Sequence, residues 1–352
     1  QDLLKDFGTG INRTSILIAR NNWKVSEEEL RNTTIQRLFE VERAYWDLYF
    51  AVADLGVSEM HLERARKLVK QAEALEEVGL SPAIDVTWAE TMAAAQETAI
   101  LQAQNRARKL RHRLLRVLGI LDVERVGADF ELADSPATEP VKASLAQAVR
   151  IAKQARPDYA QAELAIGNSE LQRRFTKNQR LPTLQLFGEY GFAGMDDSLG
   201  DSVDVLDDGD FGSWQLGLRF AVPLPNRTAR SEYRAAQLQY QQARVRLDAL
   251  TETITREVAD ALADLEAAEK RIETTDRARR LAESLLSAED MSYSLGRSDS
   301  LDVLDAQAAL AAAERNEVRA RTDYATALTN LYKVQGNLLE QKGIALKPPQ
   351  SP

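Results

Sequence analysis

The chain has 352 residues with 45 Lys and Arg against 54 Asp and Glu, a net charge of -9 and a pI near 5.1, which excludes the basic surface a nonspecific nucleic-acid binder needs. Cysteine is absent and His61 and His112 are the only histidines, so no metal site or cofactor is expected and any catalysis would have to rest on carboxylates. Mean hydropathy is -0.37, and no run approaches the roughly 18 to 20 consecutive apolar residues of a membrane-spanning helix. The chain opens at Gln1 without an initiator Met or a signal peptide, which reads as processed or incomplete.

In chain order, residues 9–78 are rich in Ala, Leu, Glu and Arg and read as one long helix. Gly79-Leu80-Ser81-Pro82 supplies a turn, and 83–118 a second helix running back along the first. A break over 119–140 contains Gly119, Gly127, Pro136 and Pro140, and 141–180 reads as a further helix. After two short strands, 226–294 carries Val258, Ala261, Leu262, Leu265, Ala268 and Ile272 at three- and four-residue spacing, the pattern of a coiled-coil seam. The turn Leu295-Gly296-Arg297-Ser298-Asp299-Ser300 leads into a last long helix with Leu304, Ala308, Ala311, Val318, Ala325, Leu328 and Leu331 on its apolar stripe.

The two hairpins are copies of each other. Residues 40–119 align with 257–336 at an offset of 217 without a gap, and about a quarter of the positions are identical. The punctuation is retained: Gly79 falls on Gly296, Ser81 on Ser298, Asp85-Val86 on Asp302-Val303, Ala89 on Ala306 and Gly119 on Gly336. The period is too long for a solenoid and reads as a duplicated structural half. The shorter helices over 83–118 and 141–180, placed end to end, match one long helix, a length relation that separate globular domains do not produce.

Between the halves the period changes from 3.6 to 2. Leu184, Leu186, Gly188, Tyr190 and Phe192 alternate with Thr183, Gln185, Phe187, Glu189 and Gly191, and Trp214, Leu216, Leu218, Phe220, Val222 and Leu224 share one face of a second run. Each run has the length of a tilted bilayer-crossing strand, with Tyr190, Phe192 and Trp214 where an interfacial girdle would put them. An ordinary hairpin packed on a core is the other reading, but no further strand-rich region shares such a core, and two strands alone are marginal. The connecting loop, Met195 to Ser213, holds seven Asp and no Lys or Arg. An acidic loop could suggest calcium, but it lacks the spaced ligands of an EF-hand, and it reads as a solvated external loop.

The chain resembles the TolC-type outer-membrane efflux proteins. The resemblance is carried by Glu42-Arg43-Ala44-Tyr45-Trp46-Asp47-Leu48, Arg156-Pro157-Asp158-Tyr159, Leu181-Pro182-Thr183-Leu184, Val222-Pro223-Leu224, and Tyr293-Ser294-Leu295-Gly296 running into Leu301-Asp302-Val303-Leu304-Asp305-Ala306. It implies a mainly α fold in which duplicated antiparallel coiled-coil hairpins build a trimeric α-barrel, and a small antiparallel transmembrane β-hairpin contributes to a β-barrel. The implied layout is a strand-junction remnant at 1–8, a first helical hairpin at 9–120, an equatorial linker at 121–140 and a helix leading to the barrel at 141–182. A transmembrane hairpin at 183–224 with its loop at 195–213, a second helical hairpin at 225–340 and a tail at 341–352 follow. The family gives each half two strands, so some 70 to 80 residues with a helix and two strands are expected ahead of Gln1, in a longer precursor.

The resemblance further implies a non-enzymatic conduit in the Gram-negative outer membrane that extends into the periplasm and is gated at its helical tips. Its implied partners are two further copies of itself, a periplasmic adaptor, an inner-membrane pump and outer-membrane lipid, with no nucleic acid. The implied gate comprises Asp302, Asp305, Tyr293, Asp85 and Arg297, although Arg297 sits one position before the family's arginine, where this chain has Ser298. Asp302 and Asp305, three apart, share a helix face and would ring the entrance with carboxylates that favour cations. The plainer alternative is that Asp299 and Asp302 cap a helix. Gly79, Leu80, Ser81, Gly296, Arg297 and Ser298 would meet the adaptor, and Leu184, Leu186, Tyr190, Phe192, Trp214, Leu216, Leu218, Phe220 and Val222 would face lipid. A soluble coiled-coil scaffold or membrane-curving helical bundle is the competing class; it explains the heptads but neither the strands nor the length-matched duplication.

Overall fold

The structure is a computed structural model describing residues 1–126, 131–136, 139, 141, 143–192 and 212–346. The acidic loop, Gly127 and Pro140 of the linker, and the end of the C-terminal tail lie outside the described residues. The elements in chain order are α1 (Thr9–Asn12), α2 (Thr14–Glu77), α3 (Ala83–Val117), α4 (Val123–Val126), α5 (Leu145–Ala155), α6 (Pro157–Asn178), β1 (Thr183–Phe192), β2 (Gly212–Ala221), α7 (Arg227–Ser294), α8 (Ser300–Val334) and α9 (Leu338–Gln341). Among the described residues no helix is long and apolar enough to cross a membrane.

Three expected boundaries shift. The single helix expected over 9–78 is interrupted at Arg13, between α1 and α2. The single helix expected over 141–180 is two: Ser144 caps α5 by accepting from the Gln147 N–H, and the chain leaves helical geometry at Arg156. Pro157 forces this, because its ring disfavours the α region for the residue before it. The second strand ends at Ala221, so Val222 and Leu224 lie beyond it.

The chain divides into two compact units. One comprises Gln1–Leu30 and Pro157–Glu252. Its sheet pairs β1 antiparallel with β2, with Leu184 opposite Phe220, Leu186 opposite Leu218 and Tyr190 opposite Trp214. On the other edge of β1 the Leu3 N–H donates to Leu184 O at 2.7 Å and the Leu186 N–H to Gln1 O at 2.9 Å. Residues 1–4, moved by the repeat offset, fall on 218–221, the end of β2, so the segment occupies a strand position as its counterpart does. The helical part is tied by polar bonds, with Asn21 donating to Asn168 at 2.8 Å and Asn168 to Asn22 at 3.0 Å.

The other unit comprises Arg31–Arg156 and Thr253–Pro352. Here α2 and α3 pack with α7 and α8. Along α2, Ala44, Leu48, Ala51, Asp54, Ser58, His61, Ala65, Leu68 and Ala72 are buried at steps of three or four, the spacing of a coiled-coil seam. Alanine dominates this seam and its partners, among them Ala89, Ala103, Ala107, Ala261, Ala306 and Ala320. Small side chains let the helices approach closely while each buries little apolar area, so cohesion comes from the length of the seam.

Several motifs that carried the resemblance have structural duties in this unit. Glu42 accepts from Thr329 Oγ1 at 2.6 Å and pairs with Lys342 at 2.6 Å, while Asp47 pairs with Arg113 at 3.3 Å. The Tyr45 hydroxyl accepts from the Asp134 N–H at 2.9 Å, and the Tyr324 hydroxyl donates to Glu139 O at 2.6 Å, so two tyrosines anchor the described part of the linker. Arg156 pairs with Glu257 at 2.7 Å and donates to the Val334 carbonyl at 3.1 Å, closing the end of α8.

Candidate functional site at the helical turns

Each long hairpin turns on a glycine in the left-handed region, Gly79 at φ 73 and Gly296 at φ 66. The Gly79 N–H bonds Glu76 O and the Leu80 N–H bonds Leu75 O; the Gly296 N–H bonds Tyr293 O and the Arg297 N–H bonds Ser292 O. Both are Schellman closures, which need a residue that tolerates positive φ just past the helix. The retained glycines of the duplication are therefore backbone requirements.

The next helices start differently. Asp299 caps α8, its carboxylate accepting from the Asp302 N–H at 3.0 Å. Asp302 is thus a first-turn residue, placed where a negative charge meets the helix dipole, and the cap is Asp299 alone. In the first copy Pro82 holds the cap position without a side-chain bond, and the Ser81 hydroxyl donates to Asp85, the counterpart of Asp302.

The two turns converge on one cluster. Leu68, Ala89, Leu286, Tyr293, Val303 and Leu304 form a common core drawn from all four long helices. Tyr293 is 4% exposed, and its hydroxyl lies enclosed beside Ser81 and Asp85 without a hydrogen bond of normal geometry. Burial pushes the phenol above its ordinary value, and the Asp85 charge adds to this. The hydroxyls of Ser298 and Ser300 are likewise enclosed without partners.

Of the expected gate residues, Tyr293 and Asp85 come together from opposite hairpins. Asp302 and Asp305 stand apart on the exposed face of α8, while Val303, Leu304 and Ala306 between and beside them are buried. Arg297 is exposed and makes no ion pair among the described residues, so it does not join the Tyr293–Asp85 cluster. At the tips, Leu80 is 75% exposed, and a Cβ added at Gly79 or Gly296 would meet nothing within 4 Å.

Tyr190, Trp214, Leu216, Leu218 and Phe220 are each about two-thirds exposed or more, and Leu186 is 40% exposed, although all are large and apolar. Leu184 is half-buried, and Val222 is exposed beyond the strand end. On the opposite face the Phe187 ring covers Gly217 so closely that an added Cβ would sit 2.6 Å from it, and the Arg219 guanidinium stacks over that ring at 5.5 Å.

Sequence reasoning missed the polar centre of the α2 seam. Asp54, Ser58 and His61 are buried at heptad positions where alanine and leucine stand on either side. The signal was present in the spacing, since each continues the steps of three or four from Leu48 to Leu68.

Duplicated coiled-coil hairpins together with a β-hairpin that exposes an apolar face define the fold of outer-membrane channel proteins. The chain belongs to the outer membrane efflux protein family, whose profile matches residues 6–120 and 148–337. It is 26% identical over 312 residues to the outer membrane protein TolC of Escherichia coli, covering 86% of this chain and 62% of that protein's length. The outer membrane efflux protein BepC of Brucella suis is 23% identical over 328 residues, covering 93% of this chain and 69% of that protein. The solved structure of the outer membrane protein VceC from Vibrio cholerae superposes with a TM-score of 0.75 at 22% identity, over 95% of this chain and 77% of the other.

Proposed function

We propose that the chain forms, with two further copies, the outer-membrane exit duct of a tripartite efflux or type I secretion system. One observation carries this reading: a hairpin whose register puts Leu186, Tyr190, Trp214, Leu216, Leu218 and Phe220 together on an exposed face, in a chain whose helices are otherwise hydrophilic. A barrel places its membrane contact in alternate strand residues, so such a face fits lipid. A coiled-coil scaffold leaves it unexplained.

In this reading the duct is passive and non-enzymatic, and an inner-membrane pump supplies the energy. The exposed Asp302 and Asp305, two from each of three protomers, ring the periplasmic entrance and favour cations. The apolar core around Tyr293, drawn from both hairpins, holds them together behind that ring. The tips around Gly79-Leu80-Ser81 and Gly296-Arg297-Ser298 meet the adaptor, since their glycines leave room for close approach.

The test is planar-bilayer recording of the full-length protein. Asp302→Asn with Asp305→Asn is expected to lower cation preference while leaving the trimer intact. Unchanged selectivity would remove the two aspartates from the gate. A full-length protein that is a water-soluble dimer without conductance would overturn the duct itself.

A further inference from the structure

Asp54, Ser58 and His61 interrupt an otherwise alanine and leucine seam, and what they touch lies on the other hairpin. His61 is 3% exposed, and its Nε2 lies 3.1 Å from Glu314 Oε2 on α8. Asp54 pairs with Arg315 of α8 at 2.9 Å and with Arg106 of α3 at 3.1 Å, and Arg64 of α2 lies 3.6 Å from Glu314. From α7, Asp290 faces Arg64. Among the described residues the charged groups that act on the imidazole are Glu314, Arg64 and Arg315; Asp54 in turn pairs with Arg315, so two carboxylates stand against two guanidiniums.

The set balances only while His61 is neutral. In that form its Nε2–H donates to Glu314 across the two hairpins. A proton on the second ring nitrogen adds an uncompensated positive charge to a position closed to water, which is costly. Ser58 offers no relief, since its hydroxyl already donates to Asp54 O at 2.8 Å.

We propose that His61 and Glu314 form a proton-operated clasp between the two hairpins: neutral His61 packs α2 against α8, and a proton on the ring, buried beside Arg64 and Arg315 with a Glu314 carboxylate already shared with Arg64, loosens that packing. Burial lowers the value of His61 from 6.5; Glu314 opposes this, and Arg64 and Arg315 add to the lowering. The closed form therefore binds fewer protons than the open one. The clasp is complete above the ordinary imidazole value and weakens as pH falls below it. The inference stands independently of the duct reading, because the contact lies within one protomer and needs no channel to be observed.

The size of the effect has a ceiling. An open imidazole with a value near 6.5 favours the open state at most about tenfold more at about pH 5.5 than at about pH 7.5. The experiment is amide hydrogen exchange on the full-length protein at these two pH values, corrected for intrinsic rates and read at the α2 and α8 segments around His61 and Glu314. Wild type is expected to lose several-fold protection in acid, and His61→Gln, which keeps a donor but cannot titrate, is expected to hold it. Equal acid loss in His61→Gln would overturn the clasp, since the carboxylates would then be the titrating groups. Ring titration by NMR gives a second reading in the wild type: the His61 signal is expected to titrate below 6.5 in step with the loss of protection. Titration at or above 6.5 with protection intact would overturn the proposal even if His61→Gln failed to assemble.

Discussion

Gly119 and Gly336 occupy equivalent positions in the two halves, 217 residues apart, and the structure predicts that they differ sharply in what they tolerate. Both sit at positive φ, 71 and 74, and both close a helix with the same pair of bonds: Gly119 N–H to Arg116 O with Ile120 N–H to Leu115 O, and Gly336 N–H to Lys333 O with Asn337 N–H to Tyr332 O. Alanine at either position pays about 1 kcal/mol for the left-handed conformation. A Cβ at Gly119 meets nothing within 4 Å, whereas one at Gly336 would lie 2.7 Å from Arg156 Cα and 2.8 Å from both Ala155 C and Ala155 O. Those atoms are backbone, so no side-chain rotation relieves the overlap. Displacing the end of α5 adds the ordinary cost of overpacking, about 1 to 3 kcal/mol. It also strains the Arg156 bonds to Glu257 and Val334. Urea unfolding of the full-length protein by far-ultraviolet circular dichroism should therefore rank Gly336→Ala well below Gly119→Ala, with α5 amides losing exchange protection only in the former. Equal midpoints for the two variants would refute the claim that α5 docks on this turn.

Two further predictions address local electrostatics. Asp299→Ala removes the cap of α8 and should cost about 1 kcal/mol, with faster exchange at the Asp302 amide, whereas Asp302→Ala leaves that amide protected; the reverse pattern would return the cap to Asp302. In α6, Arg173 and then Arg174 hold the Glu170 carboxyl at about 2 against an ordinary 4.5. The folded value lies below the unfolded one, so the contribution is complete above 4.5 and is lost as pH falls from there toward about 2. Glu170→Gln should abolish that acid-dependent part of α6 protection, and an acid limb identical to wild type would contradict the pairing.

Much of this architecture was legible in the sequence because its signals are periodic or punctuating. Gly79 and Gly296 announced both turns, and alternation from Leu184 to Phe220 announced a sheet with one apolar face. What escaped depends on neighbours distant in sequence. The break at Arg156 is local and follows from Pro157, but its docking against Gly336 is not visible in either segment. Asp299 and Asp302 were both eligible as the cap, and only the bond to the Asp302 N–H separates them. The mean hydropathy hid the strand face because long hydrophilic helices dominate the average, while a strand pair spends only every second residue on its apolar side.

The duplication also explains how one frame acquired two kinds of joint. The glycine closures are shared by both halves because backbone geometry demands them, but the polar centre of the seam is not. Asp54, Ser58 and His61 have Arg271, Thr275 and Ala278 as their repeat counterparts, so the titratable group is present in one half only. Glu314 corresponds to Glu97, which pairs within its own hairpin with Arg66 at 3.0 Å, both partners more than half exposed. In the second half the same helical position reaches across to His61, where its carboxylate is 16% exposed. An exposed pair contributes little, whereas a buried pair between hairpins makes their contact depend on the protonation of one ring. The glutamate retained at this position thus serves an exposed ion pair in one half and, in the other, the buried contact on which the proton-operated clasp depends.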